Sequence, residues 1–289
     1  MGGAQRRSPI GPGALLLGAL AAPGSAGPAP AAAPECREAP ARTDVLAGLG
    51  PRGELHLASG ARAVLDGIHW PEPGPEAEAA EARLLRHRGR RLTLVARGET
   101  DRWGRAHVDA SADAGVLPGG RSEDAEVADL AAGLVEAGLA QVDAGERDSL
   151  CRPALLAVEA GARRAGRGIW NATGPGVRDG AALRARMGRF VVAEGAVLWV
   201  GERARRTYLD FARKGENGLT VTVSKRTWRQ LQERGLSAAN LRGRQVRVRG
   251  RLEAWRGPTL DVASADMIEI LPAEGPAAEV LDGERAQRR

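Results

Sequence analysis

ELHLASGARAVLDGIHWPE, residues 54–72, decides how the first half of the chain folds. Leu55 and Leu57 alternate with other residues, as do Ala63 and Leu65 after Gly60. A period of two is the mark of a strand with one buried face, and Ser59-Gly60 supplies the turn, so the stretch predicts a β-hairpin. Pro71, Pro73, Gly74 and Pro75 then halt regular structure.

Residues 76–88, rich in Ala, Glu and Arg with Leu84 and Leu85, predict a helix whose first turn is acidic and last turn basic, as the helix dipole favours. Leu92, Leu94 and residues 106–110 alternate as strands. Residues 127–140 and 150–167 place Val127, Leu130, Leu134 and Leu139, then Leu155, Leu156 and Val158, near helical spacing. Strands, a helix, strands and two helices predict a small barrel with helices packed outside. After a Gly-rich link, 173–186, alternation restarts at Phe190, with strand-like runs over 190–200, 207–212, 219–223, 245–252 and 259–271 and a helix over 227–234. Five strands with a helix after the third is the OB-fold order. The expected fold class is mainly β with α: two OB-fold-like five-stranded β-barrels, over 44–172 and 187–272, the first with three packed helices. Residues 273–289 are expected to be a disordered tail.

The first residues read as a secretory leader. Arg6 and Arg7 precede an apolar run, 13–22, containing Leu15, Leu16, Leu17 and Leu20, and small residues and prolines follow. Residues 1–33 are therefore expected to be a signal peptide, and the protein to be exported, periplasmic or secreted. No other segment approaches the roughly 20 apolar residues needed to cross a bilayer, so no membrane span is expected after leader removal. Export permits disulfides, and Cys36 and Cys151 are expected to pair, with two free thiols as the alternative.

The composition excludes a collagen-like or wholly disordered chain, and 289 residues suffice for two domains plus a leader. Net charge is +6, but only Lys214 and Lys225 are lysines, so the excess is nearly all Arg and reflects compositional bias in part. Its distribution is more telling: residues 184–256 hold eighteen Lys or Arg against six Asp or Glu, and six of the nine aromatic residues lie in the second barrel. Tyr208 with Arg205, Arg206 and Lys214, and Trp255 with Arg251 and Arg256, are the candidate nucleic-acid-binding residues, because single strands bind by stacking bases on aromatics and laying phosphates along cations. Leu209, Phe211, Phe190 and Trp199 are assigned to the core.

Four stretches in order carry a family resemblance: Gly67-Ile68-His69-Trp70-Pro71-Glu72, Asp101-Arg102-Trp103-Gly104-Arg105, residues 134–142 (LVEAGLAQV) and residues 160–170 ending in Gly168-Ile169-Trp170. Together, over 44–172, they resemble the staphylococcal-nuclease-like (thermonuclease) family, whose fold is an OB barrel with three helices. The resemblance implies calcium held by carboxylates, a glutamate that activates water, and two arginines that neutralise phosphate. Glu72 stands at the position of that glutamate and Arg105 at that of the second arginine; these are the candidate catalytic residues. The first metal carboxylate falls on Gly53, the second on His69 and the first arginine on Val64, with Arg62 a displaced stand-in. Glu54, one residue beyond Gly53, is expected to face the opposite side. No metal site is therefore expected, no cofactor is expected, and calcium enters only if the chain is an enzyme. Glu72 and Arg105 are also candidates for a mutual salt bridge. His69 reads as a barrel-rim histidine, and His56, His87 and His107 as isolated ones.

The function expected is that of an exported, catalytically silent nuclease homologue that binds nucleic acid, single-stranded by the barrel chemistry, or acts as a scaffold. An active metal-dependent phosphodiesterase and a periplasmic protein-interaction module remain open alternatives.

Overall fold

The computed structural model describes residues 36–112, 128–172, 174–213, 216–255 and 257–272. The expected leader, the tail, Val127, Lys214 and Arg256 lie outside the described residues. The described residues pack as one unit. No helix among the described residues is long and apolar enough to cross a membrane.

The expected hairpin forms from β2 (Leu55–Leu57) and β3 (Arg62–Leu65), preceded by β1 (Arg42–Leu49), whose RTDVLAGL sequence lacks clean alternation. After β4 (Ile68–His69), α1 (Pro75–Leu85) starts where Pro75 occupies the first turn beside Glu76 and Glu78. There follow β5 (Arg91–Ala96), β6 (Arg105–Ala112), β7 (Ala128–Asp129), α2 (Leu130–Glu136), β8 (Gln141–Val142) and α3 (Ala154–Arg164). β1 pairs with β2 and β5, β2 with β3, and β5 with β6, all antiparallel; β3 then closes on β6 in parallel, with Val64 opposite His107. This is a closed five-stranded OB-like barrel. Leu55, Leu57, Leu65, Leu92, Leu94 and Val108 fill it, with Leu84 of α1 and Leu134 of α2 buried against them. Asp129 caps α2 by accepting the Ala132 N–H at 2.9 Å.

Two of the recognised motifs meet in space. Gly138 carbonyl accepts the Ile169 N–H at 3.0 Å, and a Cβ on Gly138 would stand 2.1 Å from the Arg167 carbonyl oxygen. Only glycine allows that approach, so the two stretches cross backbone to backbone.

The expected link, 173–186, contains α4 (Gly180–Arg184), whose Leu183 is buried, and Val177 carbonyl accepts the Leu219 N–H at 2.7 Å. Then come β9 (Phe190–Ala196), β10 (Trp199–Glu202), β11 (Arg206–Asp210), β12 (Thr220–Ser224), α5 (Lys225–Glu233), α6 (Ala238–Leu241), β13 (Gln245–Ala254), β14 (Pro258–Val262) and β15 (Ile268–Ile270). The ladder runs β10, β11, β12, β14, β13, β9, with β12 and β14 parallel, and β9 leads into β10 through Val197 and Leu198. Two expected boundaries change. The single run 190–200 kinks at Val197, and the run 259–271 splits because β14 lies between β13 and β12 and ends at Val262, so the chain returns to β13 as β15 only after a turn at Ala265–Met267.

The barrels meet over a buried ionic cluster. Arg249 of β13 is fully buried and bonds Glu159 of α3, itself buried, and Glu269 of β15; Glu159 also accepts the Val142 N–H at 2.8 Å. Around it Arg163 reaches Glu194 at 2.7 Å, and the Leu150 N–H donates to Asp266 at 2.8 Å. Removing one partner from such a cluster strands the other charge without water. Arg249→Met should therefore lower unfolding free energy by about 3–5 kcal/mol. In a double-mutant cycle read by urea denaturation, adding Glu159→Gln should recover a large part of that loss, since the amide still accepts from Val142 and carries no charge.

Cys36 and Cys151 form a disulfide that ties the N-terminal arm to the loop before α3, closing a separation of 115 residues. A loop of that length is stabilised by about 2–4 kcal/mol through the unfolded state. The Cys36→Ser/Cys151→Ser variant should show a correspondingly lower urea midpoint, and non-reduced protein should yield no alkylated cysteine by mass spectrometry.

Candidate functional site

A groove of about 1240 Å³ opens beside the first barrel, lined by the β1–β2 connection, the turn from β3 into β4, α1, the 101–105 turn and the loop after β8, with Arg251 of the second barrel at its edge. The parallel pairing of β3 with β6 brings the Gly67–Glu72 segment and the Asp101–Arg105 turn to this one place. Glu72 and Arg105 both line it.

The expected salt bridge between these two is replaced by others. Asp101 holds Arg105 through both its side chain, at 2.8 Å, and its backbone N–H, at 2.9 Å, and it also accepts the Trp103 N–H. A carboxylate that closes its own turn in this way outcompetes a distant partner, and Glu72 stands exposed. Burial pushes the Asp101 pKa up, but these hydrogen bonds from Arg105 and Trp103 outweigh it and hold the carboxyl below its ordinary value.

Glu54 corrects the expected geometry further. Instead of facing away, its buried carboxylate lies 3.5 Å from Arg62 and 3.6 Å from Arg105, and 3.0 Å from the His56 ring nitrogen. Arg62 and Arg105 are thus bridged by a carboxylate. Arg62 also donates to the Trp103 carbonyl, and the exposed Trp103 ring has the Arg102 guanidinium at 4.1 Å and that of Arg105 at 4.8 Å from its centroid. The turn thus presents an indole with two guanidinium groups on its ring and a third on its backbone carbonyl.

The positions that the resemblance gives to calcium do not fit it. A calcium ion takes about six to eight oxygen ligands. Gly53, at φ +72, offers none, and the Trp70 ring lies over it so closely that an added Cβ would sit 2.2 Å from a ring carbon. His69 stacks on Phe190 of the second barrel, ring centroids 4.4 Å apart, with its Nδ1 3.7 Å from Asp143. One position is filled by an indole and the other is turned into the contact between barrels. Among the described residues no group of three or more His, Cys, Asp or Glu side chains could hold a metal.

A cluster the sequence did not assemble lies deeper in the groove. Asp66 is almost wholly buried, bonds Arg147 at 2.5 Å and faces His107 Nδ1 at 3.7 Å, while its second oxygen has no partner. His107 looked isolated because only the β3–β6 register carries it to Asp66.

In the second barrel Tyr208 and Trp255 come together, ring centroids 6.1 Å apart and planes 18° from parallel. Arg206 is beside them but is tied to Asp261 and to Thr222 at 3.1 Å. Arg205 is exposed in the β10–β11 turn, and Arg251 is elsewhere, bonded to the Gly188 carbonyl and lining the first groove. Leu209, Phe211 and Phe190 are core, but Trp199 is not: it is 53% exposed, with the Arg242 guanidinium 5.2 Å from its ring. The kink at Val197 resets the alternation, so Val200 points inward and Trp199 out. No turn residue at Val197 or Leu198 marks that break in the sequence.

The geometry defines a pair of OB-like barrels. No protein-family model matches the chain, and no curated protein matches it.

Two histidines make stability depend on pH. Burial pushes the pKa of His107 down, aided by Arg147 and opposed by Asp66; burial and then Arg90, Arg86 and Arg83 push that of His87 down. The unfolded chain, titrating near about pH 6.5, therefore takes up protons first as pH falls. Stability should be fully present above that value and decline toward pH 5, and thermal melts of His107→Gln and His87→Gln should each show a flatter pH profile than the parent.

Proposed function

We propose that this chain is an exported protein that binds single-stranded nucleic acid and does not hydrolyse it. The observation behind this reading is the set of exposed large hydrophobics among the described residues, Trp103, Trp199 and Trp255, of which the first two carry arginine guanidinium groups on their rings. An indole face stacks any base, and a guanidinium displaced from it by the base is left beside the phosphate. Trp103 also sits in the turn whose Arg105 matches the family's phosphate-binding position, which favours a strand lying across the groove mouth. Silence in hydrolysis follows from chemistry: without hard oxygen donors at Gly53 and His69, Glu72 has no metal-bound water to activate, and Glu54 offsets the charge of the two arginines that would face phosphate.

Fluorescence anisotropy with a labelled oligothymidylate tests this. Binding should weaken steeply with salt, and each of Trp103→Ala and Trp199→Ala should weaken it by about tenfold, the scale of about 1–3 kcal/mol per stacked base. Glu54→Gln should tighten it by releasing Arg62 and Arg105. Calcium should produce no acid-soluble nucleotides. Calcium-dependent turnover that vanished in Glu72→Gln would establish the phosphodiesterase alternative instead, and no salt-dependent binding would remove the nucleic-acid reading altogether.

A further inference from the structure

Deeper in the groove than Trp103, the register of β3 and β6 builds a row of polar groups. Arg62 lies opposite Arg105 and Val64 opposite His107, and the Asp66 N–H carries the ladder on by donating to the Val108 carbonyl at 2.9 Å. Alternate residues of a strand share a face, so Arg62, Val64 and Asp66 line up beside Arg105 and His107. At about 3.3 Å per residue, the row runs about 13 Å from Arg62 to Asp66. Val64, Asp66, Arg105 and His107 all line the groove. Cations thus stand at one end of the row and a carboxylate at the other, within the reach of one nucleotide from its phosphate to the edge of its base.

Asp66 is only half satisfied. Its side chain is 1% exposed; Arg147 holds one oxygen at 2.5 Å, and the other has no hydrogen-bond partner among the described residues. A buried carboxylate oxygen left unpaired is costly, which points to a donor that arrives from outside the chain. Arg147 already balances the charge of Asp66, so a second cation would be repelled and a neutral N–H donor suits the place. His107, 33% exposed, lies along the row and offers its ring to the plane of a base.

Guanine alone among the common bases presents two parallel N–H donors on one edge, N1–H and the 2-amino group, with the O6 carbonyl beside them. That edge has the fork of a guanidinium without its charge, and a guanidinium is what Asp66 binds within the chain. We infer that this end of the groove reads a guanine of a bound single strand: Asp66 accepts from N1–H and the 2-amino group, and Arg147 turns from Asp66 to donate to O6. The exchange replaces one charge-assisted pairing by others and brings both oxygens of the buried carboxylate into use. Thymine, with one N–H between two carbonyls, would set both carbonyls against the carboxylate. Adenine and cytosine offer a single amino group with a ring acceptor beside it. Base reading of this kind rests on a strand lying across Trp103 and adds a preference of base to that binding.

The test is fluorescence anisotropy on the full chain with a labelled oligothymidylate of about twelve nucleotides, compared with the same oligomer carrying one central dG, dA, dC, deoxyinosine or O6-methyl-dG. One dG should tighten binding about tenfold, and dA or dC by no more than about twofold. Deoxyinosine, which keeps N1–H and O6 and lacks the 2-amino group, should fall between, and O6-methyl-dG, which loses N1–H, should bind like thymidine. These analogues probe the unaltered protein, so a failure to fold plays no part. In Asp66→Asn the ratio of the dG oligomer's affinity to the thymidylate's should drop to about one, whereas in Trp103→Ala both affinities should fall and the ratio stay. Equal affinity for the dG and thymidylate oligomers overturns the inference and leaves strand binding standing. So does an equal gain from dA or dC, and so does a dG preference that survives in Asp66→Asn or that O6-methyl-dG shares. Binding of none of the oligomers removes base reading together with the strand binding on which it rests.

Discussion

Glu159 and Arg249 form a buried ion pair where the two barrels meet. Each is removed from water, so each requires the other, and Glu159 also needs the Val142 N–H and Arg249 needs Glu269. Burying ions is costly, and the attraction between them offsets that cost only with good geometry. The contact therefore tolerates few relative orientations of the barrels. The groove beside the first barrel, with Arg251 at its edge and His69 stacked on Phe190, is a consequence of that fixed placement.

Packing also occupies the positions that the resemblance would give to a metal ion. His69 is used as a surface against the second barrel, and Trp70 covers the backbone of Gly53. A carboxylate at either place would have to be desolvated against an aromatic ring. Glu54, meanwhile, lies between two arginines that phosphate would otherwise engage, so the electrostatic demand for an anion is partly met from within the protein. Packing has taken over positions that the chemistry of cleavage would have needed open and wet.

Exposed tryptophan is uncommon without a reason, since an indole left in water forgoes much of its burial free energy. In this protein Trp103 and Trp199 each carry a guanidinium group on the ring, which suits an anionic polymer.

Much of the fold was legible in the residues. Alternating leucines at 55, 57, 92 and 94, the turn at Gly60, the acidic first turn of α1 and the order of strands and helices all follow from backbone geometry and burial, which act over a few neighbouring residues. β1 was not visible, because its apolar residues do not alternate, nor was the kink at Val197 that turns Trp199 outward. The site was read only in its parts. Sequence named Arg105, Glu72, Tyr208 and Trp255, since residue type and motif fix chemical capacity. Tertiary structure alone decided that Arg105 is held by Asp101 and Glu54, that His107 meets Asp66 across two parallel strands, and that Arg206 is spoken for by Asp261. Charge and stacking act through space between residues far apart in the chain, so their outcome exists only once the strands are in register and the barrels are docked.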